Sequence, residues 1–325
     1  MIRRTCLAGL FALFAFAMLA FGSASHAQDA FPSKPIRVII PYPPGGAADA
    51  LPRLIGERLS AHLGQPVFFE NRPGAGANLG AEAVFRAEPD GYTLLVAAPH
   101  VFTTNSIIYK LSFDPGTLAP VAIIAAYPNI LLSNPKSPFV SLKEMIAYAK
   151  ANPGKLNYAS QGSSTSSHLT GEMLKIMAGI NLVHVPYKGS GPALTDLVGG
   201  QVDLMFDNLF ATMQYVKSGR LRILGVGSTR RLSALPDVPA IAEVIPGFIS
   251  ETWMGMAAPP KTPPAIIAKI SAAVGEAVRS PEVAKRLSDL NLEPVGNTPA
   301  QMAEIVRQDT ERWVGVVRTA KVKAD

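Results

Sequence analysis

Three short loops hold most of the residues able to do recognition chemistry. The first is Pro41-Tyr42-Pro43-Pro44-Gly45-Gly46-Ala47-Ala48-Asp49. Its two glycines lack side chains, so a ligand can come close to the main chain. A helical pattern follows, which turns free N–H groups and the positive end of a helix dipole toward the loop. That chemistry suits a carboxylate or a phosphate. Asp49 is placed to cap the helix with its carboxylate and to pair with Arg53 one turn on. A tight turn without a ligand would read the same way.

The second loop is Ser160-Gln161-Gly162-Ser163-Ser164-Thr165-Ser166-Ser167-His168. Serial hydroxyls and free amides form a dense donor set for an oxyanion. The bland alternative is a serine-rich linker, but a strand pattern before it and a helix pattern after it leave little slack. The third is Val185-Pro186-Tyr187-Lys188-Gly189-Ser190-Gly191-Pro192. Tyr187 can lay its ring along a ligand. Lys188 either attracts an acid or is solvated surface. Asp207-Asn208 and Ala97-Ala98-Pro99-His100 sit at strand ends, where α/β folds place ligands. Arg72 to Asn78 is a further glycine-rich link.

Enzyme signatures are missing. Gly162-Ser163-Ser164-Thr165-Ser166 lacks the closing glycine of a nucleophile elbow. Gly74-x-Gly76 lacks the third glycine of a dinucleotide fingerprint, and there is no Walker loop. His62, His100, His168 and His184 do not have zinc-ligand spacing, so no metal and no cofactor is expected. Ser163 or Ser164 with His168 would serve a hydrolase, though no acidic third member is apparent.

The elements that position these loops alternate strand and helix. Strands are expected at 36–40, 67–69, 93–97, 121–126, 130–132, 156–159, 182–185, 204–206, 221–226 and 252–258. Helices are expected at 50–63, 78–87, 141–152, 168–177, 194–198, 211–217, 264–278, 281–290 and 299–320. Ser141 with Glu144 forms a capping-box pattern. Such an order implies parallel sheets with right-handed crossovers. Prolines near 128 and 259 are candidate passages between two lobes, the alternative being ordinary loops within one large sheet.

The 325 residues are 48% hydrophobic and 17% charged, enough for two medium domains with real cores. Residues 1–27 join a basic head, an apolar run and the small-x-small end Ser25-His26-Ala27, which reads as a secretory leader cleaved after Ala27. The one cysteine, Cys6, falls inside it, so disulfides, thiolate metal sites and a cysteine nucleophile are excluded from the exported form. Formal charge is +6, and loss of Arg3 and Arg4 leaves about +4. The basic residues are scattered and not interleaved with aromatics, which argues against nucleic acid.

Several segments in order resemble one family. They are Pro35 to Asp49, Glu70-Asn71-Arg72-Pro73-Gly74-Ala75-Gly76-Ala77-Asn78-Leu79-Gly80, Pro89-Asp90-Gly91-Tyr92-Thr93-Leu94, His184-Val185-Pro186-Tyr187-Lys188-Gly189 and Gly199-Gly200-Gln201-Val202-Asp203-Leu204-Met205-Phe206-Asp207. Together they resemble the Bug (Bordetella uptake) receptors of tripartite tricarboxylate transporters. The resemblance implies an α/β, two-lobe periplasmic-binding-protein fold of type II, each lobe a mainly parallel sheet flanked by helices. Lobe 1 would be 28–127 with 254–325, the C-terminal helices returning to it, and lobe 2 would be 128–253. It further implies a monomeric periplasmic protein that binds a di- or tricarboxylate, an acidic amino acid or an aromatic acid. Loaded receptor would go to a permease with one large and one small membrane subunit. Amides of Pro44–Asp49 and Ser160–Ser164 would hold carboxylates, and Asp207-Asn208 would line the cleft. Tyr42, Ala98, His168, Tyr187, Lys188 and Gly189 complete the expected site. A secreted serine hydrolase and a sensor for a membrane kinase stand as rival readings.

Overall fold

The computed structural model describes residues 31–323. The expected leader and its cleavage point lie outside the described residues. Strands β1 (Ile36–Ile40), β2 (Val67–Asn71) and β3 (Thr93–Ala97) run parallel, with β1 between the other two. β1 buries Ile36, Val38, Ile39 and Ile40, as a strand covered on both faces must, while the half-buried Arg37 pairs with Glu70 on β2. Where one helix was expected over 50–63 there are two, α1 (Ala47–Leu54) and α2 (Gly56–Leu63). The join needs a glycine: a Cβ on Gly56 would stand 2.6 Å from the Phe69 ring on β2. Helix α3 (Asn78–Phe85) follows. Two single-turn helices, α4 (Pro99–Phe102) and α5 (Asn105–Ile108), fill a stretch with no periodicity long enough to reveal them.

The strands expected at 121–126 and 130–132 are one strand, β4 (Ala119–Ser133). Pro128 does not break it. Proline's φ suits an extended chain, and its missing N–H falls where β4 leaves one sheet for the other. Up to Pro128, β4 pairs with β9 (Glu251–Ala258) and with the short β10 (Glu293–Pro294). From Asn129 on, it pairs with β7 (Leu204–Asn208) and β8 (Arg222–Val226). β5 (Asn157–Ser160) lies parallel to β7 and to β6 (Val183–Pro186). Helices α6 (Leu142–Ala151), α7 (Ser166–Ala178), α8 (Ser190–Gly199) and α9 (Leu209–Lys217) surround this second sheet. Glu144 does reach back as a capping box would, but its carboxylate takes the Val140 N–H at 2.9 Å.

The sheets are mixed rather than mainly parallel. β9 runs antiparallel to both β3 and β4, and β4 runs antiparallel to β7 and β8. A chain that goes out and comes back through one hinge must lay its two crossing strands in opposite directions. The return lies at Ser250–Glu251, before Pro259, where Asn129 N donates to Ser250 O at 2.9 Å. The Asn129 amide also donates to Ser250 Oγ at 2.8 Å, which ties the two passages together.

Three proline-started helices close the chain: α10 (Pro264–Arg279), α11 (Pro281–Asp289) and α12 (Pro299–Ala320). α10 buries Ile267, Ile270, Val274, Ala277 and Val278 in the core of the first lobe. α12 serves both lobes. Met302 enters a first-lobe core, whereas Trp313 and Val317 join the second-lobe core with Phe139, Met145 and Phe248. Trp253 Nε1 on β9 donates to buried Asp309 Oδ2 at 2.7 Å and fixes α12 midway. Assigning all of 254–325 to the first lobe therefore leaves out the last turns of α12. Among the described residues no helix is long and apolar enough to cross a membrane.

Candidate functional site

The first loop leads from β1 into α1, and Asp49 shapes it. Its carboxylate accepts from Gly45 N at 3.0 Å, Arg53 Nε at 2.9 Å and Asn71 Nδ2 at 2.8 Å. Burial would raise this carboxyl. The Gly45 N–H, the Asn71 amide and the Arg53 guanidinium instead hold it below the usual carboxylate range. Pairing with Arg53 is as the spacing suggests, but the expected cap is not formed. Asp49 reaches back to the loop, and α1 starts at Gly46 with no side-chain cap. The N–H groups of Ala47 and Ala48 therefore lack an intrahelical acceptor. Pro44 and Gly45 are exposed, while Gly46 and Ala48 are half-buried. Tyr42 backs the loop, its hydroxyl accepting from Ala98 N at 2.9 Å. His100 packs edge-on to Tyr42, and burial lowers its pKa to about 4, so it is neutral.

The serine loop leads from β5 into α7. Much of its donor set is turned inward. Gln161 N donates to Ser167 Oγ at 3.0 Å, Gly162 N to Ser160 Oγ at 3.2 Å and Ser164 N to His168 Nδ1 at 3.1 Å. The hydroxyls and the imidazole thus act as acceptors that set the loop's shape, contrary to the expectation of freely available amides. His168 lies beneath the loop, its ring stacked on His184 at 3.7 Å and 11°. Tyr158 stacks on His184 in turn, at 5.0 Å, and Ser160 Oγ lies 2.6 Å from His184 Nε2. Glu172, an acid that the sequence did not flag, sits 4.0 Å from His168 Nε2, with the Tyr158 hydroxyl bonded to it at 2.7 Å. Ser163 and Ser164 are buried. Like α1, α7 starts without a side-chain cap. Helices α6, α9 and α12, by contrast, are capped by Ser141, Asn208 and Thr298.

The third loop is sewn to the second. Tyr187 N donates to Ser160 O and Gly189 N to Gln161 O. The Tyr187 hydroxyl is directed away, to Asp196 Oδ2 on α8 at 2.6 Å, and burial with that carboxylate raises its pKa to about 12. Lys188 is exposed and forms no ion pair among the described residues. Asp207 is fully buried at the end of β7 and joins all three second-lobe segments. It accepts from Gln161 Nε2 at 2.6 Å, from Asn208 N at 2.7 Å, from Asn208 Nδ2 at 2.9 Å and from the Ser190 hydroxyl. Burial pushes Asp207 up to about 6, against the pull of these donors. Ser190 and Asn71 escaped the sequence reading; each lay inside a quoted motif, but only the fold shows its target. Tyr109 also escaped it. Its hydroxyl lies across the lobes from the second loop and accepts from Ser164 Oγ at 3.4 Å.

The segments meet at the carboxyl ends of parallel strands, where α/β folds bind small molecules. Among the described residues, no group of three or more histidines, cysteines and acids is arranged to hold a metal ion. A family model described as a tripartite tricarboxylate transporter family receptor matches residues 51–322. Protein BugT of Bordetella pertussis is 36% identical over 308 residues, 93% of this chain and 94% of that one. The solved structure of Rhodopseudomonas palustris Rpa4515 with adipate is 34% identical with a TM-score of 0.85, covering 91% of this chain and 100% of that one. MatC from the same organism, with bound malate, is 33% identical with a TM-score of 0.82, covering 88% and 100%. Fold, loops and likeness agree: the chain belongs to the receptor family of the tripartite tricarboxylate transporters.

Proposed function

We propose that this chain is an exported receptor that closes on a small organic carboxylate between its lobes and hands it to a membrane permease. One observation carries the reading. Helix α1 of the first lobe and helices α7 and α8 of the second start without side-chain caps where they leave the three loops, as does α3 after its own glycine-rich link. Uncapped helix starts are neutral sites for an anion: amide N–H groups and the dipole attract it without a tightly paired charge to break on release. A ligand that touches both lobes favours the closed form, which the permease would read. The relatives with adipate and malate support a dicarboxylate.

In this reading the leader is removed after Ala27, the protein works as a periplasmic monomer, and no bond is made or broken. The lobes are 28–127 with 254–325 and 128–253, apart from the end of α12. A hydrolytic role finds little support, because Ser164 engages His168 through its amide. Calorimetric titration with adipate and malate tests the reading, with Gly46→Trp as control. A Cβ at Gly46 has nothing within 4 Å and its backbone is extended, so a side chain can leave the loop there and an indole would fill the ligand's space, with circular dichroism checking that the variant is folded. One-to-one binding by the parent protein and none by the folded variant is expected. Equal affinity in both would end the proposal.

A further inference from the structure

We infer that His100 and Thr252 hold one buried water molecule at the seam between the lobes, and that this water braces the start of α7 in the closed form. The inference goes beyond the carboxylate reading above, and only its binding test rests on that reading. It stands on a cavity and on two unpaired side chains in the cavity wall. His100 is 4% exposed and Thr252 is 2% exposed. Among the described residues, neither ring nitrogen of His100 has a hydrogen-bond partner, nor does the Thr252 hydroxyl. Such groups are costly to bury, and native proteins satisfy nearly all of them with protein or with ordered water.

The cavity lies where three parts of the fold meet. Pro99 and His100 of α4 wall it from the first lobe, Ser166 at the start of α7 from the second, and Thr252 of β9 from the returning hinge strand. Trp313 of α12 lies on the same wall. About 10 Å³ is open to the centre of a water-sized sphere, room for one water molecule. Tyr42 packs edge-on against the His100 ring, with centroids 6.1 Å apart. Burial keeps this imidazole neutral, at a pKa of about 4, so one ring nitrogen donates and the other accepts. Water can answer either nitrogen in either tautomer, whereas a cation meets only the bare nitrogen and an anion only the N–H. His100, Thr252 and Ser166 together match the two to four bonds that a buried water makes. Glu251 borders the cavity too, but it is exposed and has bulk solvent. Because the walls belong to both lobes, the full set of partners exists only while the lobes are together.

The first test is a crystal structure of the whole exported protein, with and without adipate or malate, at a resolution that shows ordered water. One water within hydrogen-bonding distance of a His100 ring nitrogen and of the Thr252 hydroxyl is expected in the closed form. A dry cavity, or a side chain turned into it, overturns the inference. The second test uses variants. His100→Leu is close in size but has no polar atom to hold the water. Its melting temperature should stay level or rise, because two unpaired buried nitrogens are gone, while its affinity for adipate or malate should fall several-fold by calorimetry. Thr252→Val keeps the shape, loses only the hydroxyl, and should move both readouts the same way by less. His100→Gln retains a donor and an acceptor and should bind close to the parent value. A histidine with a merely structural role would lower stability in His100→Leu and leave the affinity of the folded variant unchanged, and that result refutes the bracing role. If the parent protein binds neither acid, the carboxylate reading fails, and the crystal structure decides the water by itself.

Discussion

Asp207→Asn separates the electrostatics of the second-lobe hub from its geometry. The asparagine oxygen can keep the three donors now on Oδ1, from Gln161 and Asn208. Its amide faces only the Ser190 hydroxyl, which can turn to accept. What changes is the charge. Burial raises the carboxyl from 3.8 to about 6, so the folded state holds its proton more tightly than the unfolded state. The parent protein therefore has this group's full contribution below pH 4 and loses it as pH rises through about 6. A shift of about two units is worth about 3 kcal/mol. Urea unfolding of both proteins, from pH 4 to pH 7.5, measures it. The stability difference should move by about 3 kcal/mol in favour of the variant across that range. Parallel curves would show that the buried carboxylate is not destabilised and would refute the reasoning.

Gly171 on α7 has its Cα against Tyr158, where a Cβ would stand 2.2 Å from the ring, so Gly171→Ala should destabilise by about 1–3 kcal/mol in thermal or urea melts. Asp309→Ala strands the Trp253 indole N–H inside the core and should cost about 1–3 kcal/mol, whereas a surface control such as Lys143→Ala should stay near zero. Asp49→Ala leaves Gly45 N, Arg53 and Asn71 without their shared acceptor. It should loosen the first loop and weaken dicarboxylate binding about ten-fold or more by calorimetry. Because the Asp49 carboxyl is held low, its contribution persists at neutral pH and is lost as pH falls below the ordinary aspartate range. The parent and Asp49→Ala proteins should then converge in stability at strongly acid pH.

Much of this molecule is legible in its sequence. Strands dominated by β-branched residues such as Ile36–Ile40 and the proline-started helices from Pro264 on declare themselves because burial and capping act locally. The glycine loop and the serine loop were found by composition alone. What stayed hidden depends on distant partners. Position 56 must be a glycine only because Phe69 lies against it, and Pro128 lies within a strand only because β4 changes sheets there. The inward turn of the serine-loop amides requires His168 and Ser167 to be in place as acceptors, which spacing could not show. The Glu172–Tyr158 contact and the reach of Tyr109 to Ser164 link segments whose pairing only the fold provides.

The most direct test is a crystal structure of the protein with the tightest dicarboxylate found by titration. The account places one ligand carboxylate within hydrogen-bonding distance of the Ala47 and Ala48 N–H groups, and its other polar end at the α7 start. A ligand bound away from both helix starts, or held through its cationic group, would contradict it.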